Sequence, residues 1–262
     1  MIRLIKIEWL KIWPYRTFRF MLAAYFILIL LLFLSPQVLN IGPFQVLSKE
    51  TLKFPFIWQN MAFIISKFFN LLMCIVIISM ITNEYSYRTV RQNVIDGMSR
   101  KEFILSKVLL IFLLSLAIAL FVLIFGFFLG LSYSSSEDFS KIFTRSSFIL
   151  GIFLQSFAIM SMAAFIAFVV KRTGLALVVF LLYILVVESL IRNQLEGDVV
   201  KFFPSKSIHS IIRTPYLEIS PVLDSVGFVL QNHIFTMPLV AAMIYTGLFL
   251  YGSYYLVRKS DL

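Results

Sequence analysis

Ionisable side chains that could take part in chemistry occur in three places in this sequence. Lys67 and Glu188 interrupt long apolar segments, basic and acidic residues cluster between 84 and 107, and the histidines His209 and His233 share one polar stretch. A charge inside an apolar segment is costly to bury, so it is a candidate for an ion pair or a polar binding site. Basic residues at a membrane surface are candidates for contacts with an acidic partner or anionic lipid.

Motifs for catalysis by the chain itself are missing from the sequence. It contains no G-x-x-x-x-G-K-[ST] segment to hold a nucleotide phosphate and no H-E-x-x-H pair to hold zinc. Cys74 is the single cysteine, so neither an intramolecular disulfide nor a cysteine cluster for a metal is possible. His209 and His233 have no neighbouring ligands, and we interpret both as ordinary surface residues. We expect no catalytic residue, cofactor or metal in this chain, with an intramembrane enzyme as a remote alternative.

Lys67 and Glu188 are predicted to lie at the same depth in the membrane. Each lies 14 residues from the inner end of its apolar segment, or about 21 Å at the rise of an α-helix. Burying either charge alone costs at least about 2.5–3.5 kcal/mol, so we predict an ion pair or a shared polar patch near Gln155. In the alternative interpretation, the Glu188 side chain reaches the outer surface next to Arg192.

The elements that must position these residues are six apolar segments. Of the 262 residues, 60% are hydrophobic and 14% charged, against about half and about a quarter in a soluble domain. The apolar residues form blocks of roughly 18 or more, enough for a helix to cross about 30 Å of hydrocarbon. We therefore predict an all-α integral membrane protein. Its six transmembrane helices are expected at Phe18–Leu39, Phe56–Ile81, Phe103–Leu131, Ser147–Val170, Gly174–Ile191 and Phe235–Val257.

The distribution of basic residues predicts the orientation of these helices. With the N-terminus inside, the inner segments carry 14 Lys and Arg in 51 positions, and the outer segments carry 8 in 74. The denser side is cytoplasmic, so both termini are expected in the cytoplasm and the protein in the cytoplasmic (inner) membrane. The net charge is +10, and the basic residues flank apolar blocks. We therefore expect these residues to set the topology and to contact the lipid bilayer, and we expect no binding of nucleic acid.

Two segments outside the spans are also predicted to contain helices. Residues 1–17 have the pattern of an amphipathic elbow helix in the membrane interface, with Glu8 among its polar residues and a break at Pro14. The outer loop, residues 192–234, contains a short apolar-periodic piece around Ile208. Small helices that lie at the outer interface or dip back into the membrane are expected there.

The inner segment 83–102 has the most specific local pattern. Tyr87, Val90, Val94 and Met98 recur at steps of three and four residues, which predicts a short amphipathic helix. Gly97 is suited to end that helix. The residues from Ser99 to Glu102 form a capping box for the next helix. An ordered surface helix at this point favours a docking partner.

This segment resembles the first cytoplasmic loop of the permeases of type-2 ATP-binding-cassette (ABC) transporters, the exporter-type membrane subunits. In that family, a glutamate after the second span precedes a Gly/Arg-Thr pair, a small-residue turn, Ser-Arg and a lysine at the start of the third span. The matching positions in this sequence are Glu84, Arg88, Thr89, Gly97, Ser99, Arg100 and Lys107. Weaker similarities are Glu8 with Lys11, Phe203-Pro204 with Ile208, and the closing residues 258–262.

The resemblance implies that the loop 83–102 contains a coupling helix that binds a separate cytoplasmic ATP-binding-cassette ATPase subunit. ATP-driven closure of two ATPases would then move the transmembrane domain, residues 18–262, and ATP hydrolysis would belong to the partner. A second permease copy, or a related permease, would complete the pathway for an exported lipid, peptide, drug or ion. Arg88, Arg91 and Arg100 are predicted to contact the ATPase or, alternatively, anionic lipid.

A non-transporting membrane transmitter or anchor is the main functional alternative. The same fold could use an ATPase to act on a periplasmic partner. A sizeable outer domain would favour this function, and the outer loop has only 43 residues.

Overall fold

The computed structural model describes a chain that is almost entirely helical. The described residues are 2–34, 40–41, 44–45, 51–135, 138–188, 190–191, 203–212, 234 and 236–259. Their helices are α1 (Ile2–Ile12), α2 (Arg16–Leu34), α3 (Phe56–Ser86), α4 (Thr89–Ile95), α5 (Arg100–Tyr133), α6 (Ser147–Val170), α7 (Thr173–Val187), α8 (Pro204–His209) and α9 (Thr236–Lys259). One antiparallel pair of short strands, β1 (Asn40–Ile41) and β2 (Phe44–Gln45), follows α2.

Within the described ranges, five helices are long and apolar enough to cross a membrane: α2, α3, α5, α6 and α9. The prediction of an all-α chain with several apolar helices is thus confirmed. Helix α6 has the predicted bounds, whereas α3 and α5 run several residues past their apolar segments. The predicted span Gly174–Ile191 corresponds to the shorter helix α7. The last predicted residues of the first span, 35–39, lie outside the described residues.

Two π-helical turns interrupt the apolar helices. One is Ile65–Phe69 within α3, and it contains Lys67. The other is Tyr183–Val187 at the end of α7, and Glu188 follows it directly. Turns of this kind are often found at functional sites, and here each coincides with a charged residue in an otherwise apolar segment.

The core of the bundle lies around α3 and α6. In each of these helices 67% of the apolar window is buried, against 22% in α2 and α9. Ala163, Ala164 and Ala167 of α6 are almost fully buried, and small side chains allow membrane helices to approach closely. Among the described residues, helices α2 and α9 therefore leave wide apolar faces uncovered.

The segments rich in basic residues gather at one end of the bundle. At this end Arg100, which begins α5, donates to the main-chain carbonyl of Val257 near the end of α9. The hydroxyl groups of Thr82, in α3, and Thr173, at the start of α7, lie 2.8 Å apart. We call this the basic end of the molecule.

Candidate functional site

A buried lysine between two carboxylates lies at the basic end. Lys107, near the start of α5, is 3% exposed. Its Nζ atom lies 2.7 Å from Oε2 of Glu8 in α1 and 2.6 Å from Oε1 of Glu84 in α3. A single ammonium group thus joins three helices that are far apart in the sequence.

A second lysine and two polar side chains complete this arrangement. Nζ of Lys11 lies 3.9 Å from Oε1 of Glu84 and 4.0 Å from Oε1 of Glu8. It also donates to Oδ1 of Asn93, in α4, over 3.0 Å, and Oγ of Ser106 donates to Glu8 over 2.8 Å. Two carboxylates therefore face two ammonium groups. We use the name charge cluster for these four charged residues together with the amide that binds Lys11: Glu8, Lys11, Glu84, Asn93 and Lys107.

Glu8 lies on the packed face of α1, which differs from its predicted place on the polar face. It is 2% exposed, and its neighbours one turn away, Leu4 and Ile12, are buried on the same side. Burial works against ionisation of Glu8, but the Lys107 ammonium group, the hydrogen bonds from Lys107 and Ser106 and the charge of Lys11 together hold the pKa of the Glu8 carboxyl below its ordinary value. The ion pair with Lys107 is the physical reason why a charged residue occupies the packing face.

Helix α4 is bounded by a turn at each end, and the first of these turns bonds to Glu84 of the charge cluster. Arg88 takes a left-handed conformation, with φ of 55°, between α3 and α4. Next to it, Oγ1 of Thr89 donates to the main-chain carbonyl of Glu84 over 3.2 Å. Gly97 ends the turn after α4 with φ of 89°, which confirms its predicted role as the stop residue. Val90 points inward and is 2% exposed.

The predicted capping box at the start of α5 is present. Oγ of Ser99 accepts from the main-chain N–H of Glu102 over 3.2 Å, and Oε2 of Glu102 accepts from the N–H of Ser99 over 2.8 Å. These bonds satisfy N–H groups that the first turn of a helix leaves unpaired. The entry of the chain into α5, and so the position of Lys107, is fixed locally.

The opposite side of the α4 segment is exposed. Tyr87 and Ile95 are 67% and 69% exposed, and Arg88 and Arg91 lie between them in sequence and are also exposed. We call these four residues the arginine face. The sequence pattern places Tyr87 with Val90 on the apolar side, but the left-handed residue Arg88 separates Tyr87 from α4 and breaks that register. The side chain of Val94 lies outside the described residues.

Arg100 does not belong to the arginine face. Its guanidinium group donates to the main-chain carbonyls of Val257 and Arg258, which lie in the last turn of α9. Cationic side chains favour this position because the last carbonyls of a helix lack intrahelical partners. Arg100 therefore connects α5 to α9 within the chain.

The structure does not bring Lys67 and Glu188 together as an ion pair. The Glu188 carboxylate instead accepts from the main-chain N–H groups of Ser205 over 3.1 Å and Lys206 over 2.6 Å, at the start of α8. The side chain of Lys67 is exposed. Main-chain N–H groups of a first helical turn are good partners for a carboxylate, and they take the place predicted for Lys67.

His209, at the end of α8, lies close enough to Lys67 to be influenced by its charge. Burial and the Lys67 ammonium group together lower the pKa of His209 to about 4. Nδ1 of His209 lies 2.8 Å from the carbonyl oxygen of Ser205. His209 is partly buried, in contrast to the surface position expected, and the lowered pKa favours its neutral form. His233 lies outside the described residues.

The structure also buries Arg145 and Gln155, and only Gln155 is singled out from the sequence. Arg145, which shortly precedes α6, is 6% exposed. It donates to Oε1 of Gln59 over 2.7 Å and lies 4.6 Å from the ring centre of Phe56. Gln155 is fully buried within α6. These contacts join segments more than 80 residues apart, which no local pattern predicts.

No group of three or more His, Cys, Asp or Glu residues that could hold a metal ion occurs in the described ranges. Comparisons of the chain with protein-family models, with curated proteins and with solved structures gave no match. The function must therefore be inferred from the contacts of the chain itself.

Proposed function

We propose that this chain is the membrane-spanning permease subunit of an ABC transporter, in which a separate cytoplasmic ATPase drives export of a substrate. The observation that carries this proposal is the position of Lys107, which joins α1, α3 and α5 beside α4. Because Asn93 of α4 is bonded to the same cluster through Lys11, a displacement of α4 acts on two membrane helices and the N-terminal helix together. This is the mechanical property that a coupling helix needs.

The arginine face supplies the surface for the ATPase. Arginine and aromatic side chains are enriched at the centres of protein interfaces, and Tyr87 and Ile95 flank Arg88 and Arg91 in the sequence with most of their surface uncovered. A protein partner would bury these two apolar side chains, whereas lipid headgroups would leave them in contact with water. A groove with acidic residues on the ATPase would complement the two guanidinium groups.

The proposed topology has six crossings and a cytoplasmic basic end. Helix α7 is counted as a crossing because residues 188 and 190–191 continue helical beyond its end. Helix α1 is assigned to the inner interface as an elbow, because the rings of Trp9 and Trp13 stack at 5.1 Å and remain about half exposed. A second copy, or a related permease, would cover part of the apolar faces of α2 and α9.

The proposal is tested by charge reversal on the arginine face. The full-length chain, Arg91→Glu and Lys141→Glu are each purified from native membranes in mild detergent, and vanadate-sensitive ATP hydrolysis of the purified material is measured. Lys141 is an exposed cation in the turn Asp138–Lys141, which precedes α6, and so is a matched control. Wild type and Lys141→Glu are expected to retain an ATPase, and Arg91→Glu to lose about tenfold, the effect of ~1.4 kcal/mol of binding energy.

Two results would overturn the proposal. One is a folded wild-type chain that carries no ATP-hydrolysing subunit from its native membrane. The other is equal ATPase retention by Arg91→Glu and Lys141→Glu, which would show that this face of α4 is not the contact.

A further inference from the structure

A cavity of about 400 Å³ adjoins the charge cluster. Its walls come from α1, α2, α3, α4 and Thr173 at the start of α7. This volume is within the range of pockets that hold small ligands, roughly 300–1,000 Å³. Lys11, Glu84 and Asn93 of the charge cluster line the cavity, and Lys107 does not.

The cavity is polar at one end and apolar at the other. Lys11, Glu84, Gln92 and Asn93 line the end next to the charge cluster. Phe18, Met21, Val76 and Met80 form the apolar part of the lining, and Thr17, Ser79 and Thr173 add hydroxyl groups. Val76 precedes Glu84 by eight residues in α3, which is about 12 Å along the helix. The cavity thus extends from the charged end of the bundle into its apolar part. A ligand with a polar head and an apolar chain would match this distribution of polarity.

Two buried polar atoms of the lining residues have no hydrogen-bond partner. They are Oε2 of Glu84, an anionic acceptor, and Nδ2 of Asn93, a donor. The other atom of each group is occupied, since Oε1 of Glu84 binds Lys107 and Oδ1 of Asn93 accepts from Lys11. An unpaired buried polar atom costs about 1–3 kcal/mol. Both atoms have almost no solvent-accessible surface, so the side chains of Glu84 and Asn93 must rotate toward the cavity before a ligand with a cationic donor and an acceptor can pair with them.

The distance between the charges of Lys11 and Glu84 favours a zwitterionic ligand. Nζ of Lys11 and Oε1 of Glu84 lie 3.9 Å apart, so the site presents a positive and a negative group side by side. A lone anion would be repelled by Glu84, and a lone cation would leave Lys11 and Asn93 unused. A primary ammonium and a phosphate joined by a two-carbon spacer present the opposite pair of charges at a similar separation.

We propose that this cavity binds the head group of a zwitterionic phospholipid that carries a primary ammonium, with the ammonium at Glu84 and the phosphate at Lys11 and Asn93. The start of an acyl chain lies along Phe18, Met21, Val76 and Met80. This goes beyond the permease function and requires no ATPase. Because the head group contacts Glu84 and Asn93, its binding would stabilise the junction between α3 and α4.

The proposal is tested with delipidated full-length protein in detergent. Binding of four probes is measured by native mass spectrometry and by the shift of the unfolding temperature: phosphatidylethanolamine, phosphatidylcholine, phosphatidylglycerol and free phosphoethanolamine. Phosphatidylethanolamine is expected to bind at least about tenfold more tightly than the other three. Phosphatidylcholine shares its phosphate and chains but has no N–H donor, and free phosphoethanolamine has the head group without the chains.

Three variants locate the site. Asn93→Leu removes the donor at the polar end, and Met21→Trp fills the apolar end. Both are expected to reduce phosphatidylethanolamine binding about tenfold. Phe20→Trp makes a similar change on α2 at a side chain that is 74% exposed and does not line the cavity, so it is expected to have no effect.

Several outcomes would overturn the proposal. Equal binding of phosphatidylethanolamine and phosphatidylcholine would show that the ammonium donor is not recognised. Tighter binding of phosphatidylglycerol would indicate an anion site, and equally tight binding of free phosphoethanolamine would indicate a water-soluble ligand. Absence of binding by all four probes would show that the cavity does not hold a head group. The comparison of probes uses the wild-type chain, so it stands even where a variant fails to fold.

Discussion

At the scale of single residues, Lys107 is the residue on which the site depends most. Its ammonium group is almost completely buried and is the closest cation to both Glu8 and Glu84. Burying one charge without a partner costs several kcal/mol, whereas a paired arrangement offsets most of that cost. The two carboxylates are therefore tolerated in the packing of α1, α3 and α5 because Lys107 lies between them.

Replacing this lysine should destabilise the fold. Lys107→Met is expected to lower the free energy of unfolding by about 3–5 kcal/mol, because it leaves two buried carboxylates with only the more distant Lys11. Thermal unfolding of purified protein, followed by tryptophan fluorescence, measures this. Lys101→Met, an exposed lysine of the same helix, is the matched control.

A milder variant covers the case in which Lys107→Met does not fold. Glu8→Gln keeps Lys107 paired with Glu84, and its loss is expected to be smaller, about 1–3 kcal/mol. Equal unfolding temperatures for Lys107→Met and Lys101→Met would contradict the role assigned to the cluster.

At the scale of elements, two short helices are held by features at their ends. Helix α4 lies between the left-handed residues Arg88 and Gly97, and the carboxylate of Glu188 binds the first turn of α8. Neither helix is long enough to be stable alone. Their positions therefore depend on these end contacts, and each contact gives a separate prediction.

Gly97→Ala should loosen α4. A residue other than glycine pays about 1–2 kcal/mol in the left-handed region, while an added Cβ would meet no atom within 4 Å. The effect is thus one of backbone conformation alone. Faster amide hydrogen exchange across Thr89–Ile95 is expected for Gly97→Ala, and a smaller change for Gly97→Asn, since asparagine tolerates this conformation. Identical exchange in the two variants would argue against backbone strain as the cause.

Glu188→Gln should release the first turn of α8. Hydrogen bonds to a charged acceptor contribute about 1.5–3 kcal/mol, so exchange of the Ser205 and Lys206 amides should accelerate about tenfold or more. Glu102→Gln is the control, because its carboxylate caps Ser99 at the other end of the molecule. Unchanged protection of residues 205 and 206 would mean that other contacts hold α8.

At the scale of the whole molecule, the helices form contacts at two separate ends of the bundle, and the basic end is one of them. Helix α1, the end of α3, α4, the start of α5, the hairpin at Thr173 and the end of α9 meet at the basic end. At another end, Nε1 of Trp58 donates to the carbonyl of Ile142 over 2.6 Å, and Arg145 binds Gln59. This separation gives a direct test of orientation.

Labelling of single cysteines should place the basic end in the cytoplasm. In a Cys74→Ser background, Lys141→Cys is expected to react with a membrane-impermeant maleimide in intact cells, and Lys101→Cys only in inverted vesicles. Both lysines are exposed, so access depends on the side of the membrane. Labelling of both positions from the same side would refute the proposed topology.

The sequence by itself determined the features that depend on short stretches of chain. Hydropathy located the apolar helices because the thickness of hydrocarbon fixes the length of a crossing segment. The capping box at Ser99, the stop at Gly97 and the break at Pro14 followed from backbone preferences of single residues. The two glutamates and two lysines of the charge cluster were singled out individually, but their contacts with one another were not predicted.

The tertiary structure alone decided which faces of the helices meet. Glu8, Glu84 and Lys107 are separated by up to 99 residues, so only the packing of α1 against α5 brings them together. For Lys67 and Glu188, the rise of an α-helix gave a depth for each residue but not a direction. A π turn adds a residue to the helix and rotates the remainder of that helix by about 100°, and both residues lie in or beside such a turn. The depth of a residue in the membrane follows from its distance along the helix. The pairing of two side chains depends on the rotation and packing of both helices, and the sequence of one segment does not determine these.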